Sequence, residues 1–324
     1  MITNNSYLPE GLLINTPENR EYTSSLQGLE RAMIYGKILE ATAMLCDENA
    51  RLHVDLFGIR GFIEREECAY SRENEGIKDI AIITRVGKPV CFKILRIERD
   101  AFGPYAVLSR REAQKECIQN YLSGLICGDI IPAKVTHIEN FGAFVDIGCG
   151  IPSLLSIDCI SVSRIAHPKD RLSVGMHIHT VIKSIDAQNG RIFVSLRELL
   201  GTWEENASSF KAGSTVSGII RSVEKYGIFV ELAPNLAGLA ELRDSSAFSF
   251  ISENIIGRHA AVYIKSIIPE RMKIKLVLID CGDVQKTPSA LKYHIDPSQV
   301  KHIDRWRYSP SVCERLVESV FDSI

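Results

Sequence analysis

The sequence predicts a mainly β protein: three small, closed five-stranded barrels in tandem, with helical linkers and a short helical C-terminal tail. Three observations predict it. One strand pattern occurs twice: Asn140-Phe141-Gly142-Ala143-Phe144-Val145-Asp146-Ile147-Gly148 returns as Lys225-Tyr226-Gly227-Ile228-Phe229-Val230-Glu231-Leu232-Ala233, and such self-similarity marks repeated units. Short β-rich runs punctuated by turn residues surround both copies, and a third such set precedes them. Five short strands to a unit suit a small barrel. Between the units, apolar residues fall at helical period.

Residues 1 to about 22 read as a loose arm. Ser24-Ser25-Leu26-Gln27 offers a capping box for a helix that sets Leu26, Leu29, Met33 and Ile34 on one face and ends near Gly36. Strands follow at 38–45, 51–57, 61–63 and 89–97, with a return strand near 106–108. A helix over 110–122, with Ala113, Cys117, Tyr121 and Leu122 at helical spacing, closes a first domain at residue 122. Gly128 opens the second unit, with strands at 130–138, 142–147, 153–155, 177–185 and 191–196. Asn189-Gly190 between the last two is a strong hairpin signal. Leu199, Leu200, Trp203 and Ala207 mark a linker helix over 196–210, which completes a domain over 123–210. Gly213 opens a third unit with the same order of strands, ending at 274–278, in a domain over 211–281. The tail over 282–324 carries two helix starts. Asp296-Pro297-Ser298-Gln299 reads as an N-cap followed by proline at the first helical position. Ser309-Pro310-Ser311 begins a second helix with Val312, Leu316, Val320 and Phe321 facing one way.

Composition narrows the function. The formal net charge of −2 over 324 residues excludes a protein held to nucleic acid mainly by a large positive field. The nine cysteines contain no Cys-x-x-Cys pair, so there is no zinc knuckle and no redox motif. Their odd number suits free thiols in a reducing cytoplasm. The first twenty residues hold no apolar signal core, and no apolar run is long enough to span a bilayer.

Side-chain chemistry points to binding. In each copy of the repeat an aromatic precedes a glycine and a phenylalanine stands three residues on. Two rings side by side across a glycine kink can serve as a platform for unstacked bases. No glycine-rich phosphate loop, zinc-protease motif or nucleophile elbow is present, so no catalytic residue, cofactor or small-molecule substrate is expected. His177 and His179 alternate on one strand and are expected to face solvent rather than share a metal. His53, His137 and His259 read as isolated surface or packing residues. Cys149, between Gly148 and Gly150, reads as an inert thiol, and Glu204 and Glu205 as an exposed helical patch.

Taken together, Gly128-Asp129, Lys134-Val135, Phe141-Gly142-Ala143-Phe144-Val145-Asp146, Leu154, Val174-Gly175, Ile185-Asp186, Arg191-Ile192 and Ser195-Leu196 resemble the RNA-binding domain named after bacterial ribosomal protein S-one. The resemblance implies an oligonucleotide-binding (OB) barrel. Residues 213–278 resemble it too, through Tyr226-Gly227-Ile228-Phe229-Val230 and Gly238-Leu239. Leu199-Leu200-Gly201-Thr202-Trp203-Glu204 resembles the helices between such domains. The first repeat matches more weakly, through Val54-Asp55-Leu56, Gly61-Phe62-Ile63, Val86-Gly87-Lys88 and Leu108-Ser109-Arg110. The likeness covers roughly residues 36–280.

The resemblance assigns RNA contacts unevenly. In repeat two, Phe141 and Phe144 fill the aromatic positions, and Asp186 and Arg191 the acidic and basic ones. Ser156 stands where the family often has histidine, and Lys134 adds phosphate attraction. In repeat three, Tyr226 and Phe229 fill the aromatic positions and Lys273 replaces the arginine, while Glu241 and Ile268 stand at the histidine and aspartate positions. In repeat one the aromatic positions hold Asn49 or Ala50 and His53, with Glu64 at the histidine position. That barrel resembles the degenerate N-terminal family domains that dock to the ribosome. The implied protein is a cytoplasmic, translation-associated ribonucleoprotein component. It binds single-stranded RNA, messenger RNA in particular, through repeats two and three, and contacts the small ribosomal subunit through repeat one. The alternative is a protein-interaction scaffold or RNA-dependent regulator with weakened nucleic-acid affinity. The net charge, Glu241 and Ile268 favour it; the intact ring pairs favour RNA.

Overall fold

The computed structural model describes residues 7–71, 76–241, 255–284 and 291–321. Among them the chain forms three closed five-stranded barrels and a two-stranded ribbon. The chain divides into two compact units. One holds Met1–Leu125, Pro132–Lys134 and Asp146–Pro152; the other holds Ile126–Ile131, Val135–Val145 and Ser153–Ile324. Among the described residues no helix is long and apolar enough to cross a membrane.

In the first unit, residues 7–23 are not a loose arm. Thr16 caps α1 (Pro17–Thr23), its hydroxyl accepting from Asn19 N, with Pro17 at the first helical position. The buried Asn19 side chain then bonds both Glu40 N and Glu40 O, at 2.8 and 2.9 Å. The Glu40 carboxylate collects the N–H groups of Gly11, Leu13 and Ile14. These polar ties hold the segment in place; the expectation of an arm overlooked the Thr16-Pro17 start signal. Ser25 caps α2 (Leu26–Ile34).

Barrel one comprises β1 (Leu39–Cys46), β2 (Leu52–Leu56), β3 (Ile59–Ile63), β4 (Pro89–Asp100) and β5 (Gly103–Ser109), closed in the order β1-β2-β3-β5-β4. Alternation turns Leu52, Val54, Leu56, Ile63, Ala106 and Leu108 into the core. A short α3 (Asp79–Ile83) lies between β3 and β4, and Ser109 caps α4 (Arg110–Asn120). The buried Arg110 guanidinium grips Glu10 through Nε–Oε1 at 2.6 Å and Nη2–Oε2 at 3.0 Å. Burial opposes the Glu10 charge, yet Arg110 holds the carboxyl below the usual range.

Barrel two comprises β6 (Ile130–Glu139), β7 (Gly142–Asp146), β8 (Pro152–Ser156), β9 (His177–Asp186) and β10 (Arg191–Ser195). Barrel three comprises β11 (Thr215–Glu224), β12 (Gly227–Ala233), β13 (Leu236–Glu241), β14 (Arg258–Ile268) and β15 (Lys273–Val284). All three barrels share one topology: the third strand runs parallel to the fifth, as in β3 with β5, β8 with β10 and β13 with β15. The linker is shorter and more broken than the helix expected over 196–210. A 3-10 turn (Arg197–Leu200) stops at Gly201, whose φ of +84° suits glycine. Thr202 then caps α5 (Trp203–Ala207) in a reciprocal box with Glu205.

Within the second unit, barrels two and three are locked together. Arg171 from the β8–β9 connection and Arg221 on β11 both bond Glu231 on β12, and Arg221 also reaches Asp170 at 3.3 Å. The fully buried Asn235 accepts from Val162 N at 2.9 Å and donates to the carbonyls of Arg197 and Gly201 at 2.8 and 2.9 Å. The tail corrects the expectation of helices: residues 291–321 contain none. Instead β16 (Arg305–Arg307) pairs with β17 (Glu318–Val320). Only a single turn closes at Asp296, whose carbonyl accepts from Val300 N at 3.0 Å, and the backbone around it bonds other segments. Ile303 N donates to Gly128 O and Lys301 O accepts from Ile130 N, while His294 N reaches Leu199 O. Trp203 N donates to Tyr308 O, and the Tyr308 hydroxyl to Asn235 O. Of the supposed apolar stripe, Val312, Leu316 and Val320 stay exposed and only Phe321 is buried, together with Trp306 and Tyr308.

Candidate nucleic-acid interface

Alternation on β7 sends Ala143 and Val145 inward and leaves Phe144 half-buried on the outer surface. Phe141 precedes the strand and is 54% exposed. The two rings sit 6.2 Å apart, edge to face at 89°. Barrel three repeats the arrangement: Tyr226, 60% exposed, and Phe229 on β12 lie 6.1 Å apart, also at 89°. A third ring, His137 on β6, lies 6.5 Å from Phe144 at 27°, nearly parallel to it. Sequence reading passed over His137 as isolated; its outward place on the strand beside β7 was the missed signal.

The glycines do not act by kinking the strand. Neither Gly142 nor Gly227 has a positive φ. Each lies beneath the next strand: a Cβ at Gly142 would stand 2.4 Å from Leu155 O, and one at Gly227 2.7 Å from Ala240 O. Glycine is needed because two backbones approach closely, and that approach sets the exposed rings at the strand entry.

The other assigned residues are distributed as follows. Arg191 is exposed and in register with Asp186 across the β9–β10 hairpin. Asp186 bonds Asn189 N and Nδ2 at 3.0 and 2.7 Å, and these bonds hold its carboxyl below the usual range. Its local work is to close the turn. Ser156 is half-buried at the end of β8, its Cα 2.9 Å from the position of a Cβ on Gly142. Lys134 belongs with the first unit, where its ammonium donates to Glu10 O at 2.7 Å. Lys273 is exposed at the start of β15, in register with Ile268. Glu241, expected to repel phosphate, is paired with Lys275 at 3.4 Å. The sequence reading did not single out Lys275.

Barrel one differs from expectation. Its aromatic positions, in the β1–β2 turn and at His53 on β2, do lack the phenylalanine or tyrosine pair, but rings from β3 and β5 gather beside His53. Phe62 on β3 lies 5.0 Å from His53 and 5.6 Å from Tyr105 on β5. Arg51 and Arg60 lie over Phe62 at 5.6 and 5.9 Å, and Arg60 also covers Phe102 and Tyr105 at 5.6 Å each.

Among the described residues no group of three or more His, Cys, Asp or Glu side chains is placed to hold a metal. His177 is exposed, whereas His179 is half-buried edge-on to Tyr293 at 5.9 Å, and burial lowers its pKa. Cys149 is wholly buried; hydrogen bonding with Cys117, then burial, pushes its thiol pKa well above the usual value. A thiol so held is unreactive.

Comparison with known proteins agrees with this geometry. Residues 126–197 match the S1 RNA binding domain. The small ribosomal subunit protein bS1 homolog of Bacillus subtilis is 30% identical over 72% of this chain and 56% of its own length. The small ribosomal subunit protein bS1 of Staphylococcus aureus (strain COL) is 27% identical over 88% of this chain and 73% of its own. Thus the chain spans little more than half the length of the Bacillus subtilis relative. Among solved structures, GSP13 from Bacillus subtilis aligns over 22% of this chain and 56% of its own, at 26% identity and a TM-score of 0.22. The chain thus carries an S1 RNA binding domain over residues 126–197 and is similar to bS1 proteins over most of its sequence.

Proposed function

We propose that this chain binds single-stranded RNA, messenger RNA in particular, on barrels two and three, and works in translation at the small ribosomal subunit in the cytoplasm. One observation carries the reading: the same edge-to-face ring pair, at 6.2 and 6.1 Å, stands at the same place on two barrels. Each stacked base contributes roughly 1–3 kcal/mol whatever its identity. Arg191 and Lys273 supply charge for phosphates, and Asp186 shapes the hairpin that presents Arg191. The relatives are small-subunit proteins by name, which supports the small subunit as partner. The domain limits near 122, 210 and 281 go with this reading, in which the role of the chain is binding rather than catalysis.

Barrels two and three share one unit, so a strand that engages both gains from the high effective concentration of the second site. The test is binding of labelled single-stranded RNA to the full chain at two salt concentrations. Phe141→Ala with Tyr226→Ala should weaken it by roughly 1–3 kcal/mol per lost stack. Unchanged affinity in that variant, or none in the parent, would return the chain to the scaffold reading.

A further inference from the structure

We infer that His167 is a positioning residue for the ring pair of barrel two: from the β8–β9 connection it holds the turn that carries Phe141, and barrel three braces it there. This rests on the reading above, in which that pair stacks bases. Phe141 is the exposed member of the pair and stands ahead of β7, in the two-residue turn Asn140–Phe141 that joins β6 to β7. It lies outside the strand ladder, so its place depends on what holds the turn. Two bonds do so. Ile157 N donates to Phe141 O at 2.9 Å, and His167 Nε2 meets Asn140 Oδ1 at 3.0 Å.

The other ring nitrogen fixes the direction of the His167 bond. His167 caps the 3-10 turn Pro168–Asp170, and its Nδ1 accepts from Lys169 N at 3.0 Å. An accepting Nδ1 carries no hydrogen, so Nε2 carries it and donates to the Asn140 oxygen. Asp170 completes the cap. Its Oδ2 takes Ala166 N and His167 N at 3.1 and 3.3 Å, while its Oδ1 faces Arg221 Nη1 of barrel three at 3.3 Å. Next in sequence, the buried Arg171 is tied to Glu231 and to Pro234 O. One carboxylate therefore joins the support of the barrel-two ring to β11 of barrel three. Barrel three has no counterpart at its own ring: Lys225 stands where barrel two has Asn140, and an ammonium offers no acceptor. A turn already held in its working position spares the complex the cost of ordering it on binding.

The experiment uses the full chain carrying Tyr226→Ala, so that barrel two dominates, and a fluorescent single-stranded RNA of about eight nucleotides, within the span of one OB barrel. His167→Asn keeps a good N-cap, but its amide ends short of Asn140. It should weaken binding roughly two- to tenfold, the range of one hydrogen bond, with the melting curve unchanged. Asn140→Ala, at an exposed turn position that leaves the cap untouched, should do the same, and decides the matter if His167→Asn shifts the melting curve. In both variants the nuclear Overhauser contact between the Phe141 and Phe144 rings should fade while core contacts persist. In a chain that also carries Phe141→Ala, His167→Asn should change affinity no further, since no ring is left to place. A further loss there would overturn the proposal. So would fully additive losses when His167→Asn and Asn140→Ala are combined, or undiminished affinity in both single variants. Failure of the underlying reading is seen separately, as binding that Phe141→Ala itself leaves unaltered.

Discussion

Arg171 of barrel two and Glu231 of barrel three meet in an ion pair whose side chains are only 5% and 6% exposed. The same carboxylate takes Arg221 Nε at 2.7 Å. One glutamate thus neutralises two buried guanidinium groups, assisted by Asp170.

Glu231→Gln keeps the shape and removes the charge, leaving Arg171 and Arg221 facing each other out of water. Breaking a buried pair from one side costs about 3–5 kcal/mol. The expected outcome is an earlier unfolding transition of the second unit in denaturant, with the transition of the first unit unmoved.

Gly142→Ala should destabilise barrel two by roughly 1–3 kcal/mol, the usual range for overpacking. The added Cβ would meet the Leu155 carbonyl at 2.4 Å, and backbone cannot rotate aside as a side chain can. Gly227→Ala, at 2.7 Å from Ala240 O, should do the same to barrel three. Urea denaturation of each variant measures both.

Glu40 predicts a pH dependence. Burial pushes its pKa up from 4.5 to about 7, outweighing the backbone N–H groups that bond it. The native state therefore holds a proton that the unfolded chain releases near its ordinary pKa. Stability from this group falls as pH rises from about 4.5 to about 7, by up to about 3 kcal/mol. Above 7 the loss is complete, and below 4.5 the group contributes no slope. Glu40→Gln removes this term, so the stability difference between parent and variant, followed from pH 4.5 to 8, should shift against the parent as pH rises.

The fixed pairing of barrels two and three predicts a length effect in RNA binding. Tyr226→Ala should weaken a long single-stranded RNA that reaches both barrels more than a short one held mainly by barrel two. A length series by fluorescence anisotropy checks this; equal losses at every length would exclude simultaneous engagement.

Local features were legible in the sequence. Phe141 and Phe144 lie three residues apart, a spacing that alternation along one strand would put on opposite faces; their pairing was legible because the motif returns at Tyr226 and Phe229, with the first ring just ahead of the strand in each copy. Asn189-Gly190 announced its hairpin, and the five-strand order followed from short alternating runs. Features that depend on distant partners were not legible. Positions 53, 62 and 105 give no sign that β2, β3 and β5 will bring their rings together. The charge of Lys134 was readable, but not the Glu10 carbonyl that takes its hydrogen bond. In the tail, Asp296-Pro297 and Ser309-Pro310 are sound helix starts. Nothing nearby shows that the backbone after the first will bond to Gly128 and Ile130, or that Phe321 N after the second will bond to Asp304 O, instead. Gly142 was singled out for a kink; what requires glycine there is the close approach of the Leu155 carbonyl.

The tail contacts have a consequence for biosynthesis. The Asp129–His302 contact joins positions 173 residues apart, and the neighbouring Gly128 and Ile130 bonds wait for the same distant segment. At about 5–20 residues per second, a ribosome needs roughly 10–35 s after making the first strand of barrel two before it makes the residues that complete its surroundings. Barrel two therefore spends that interval as a nascent domain without these partners for Gly128, Asp129 and Ile130, and they arrive only when residues 301–303 have left the exit tunnel.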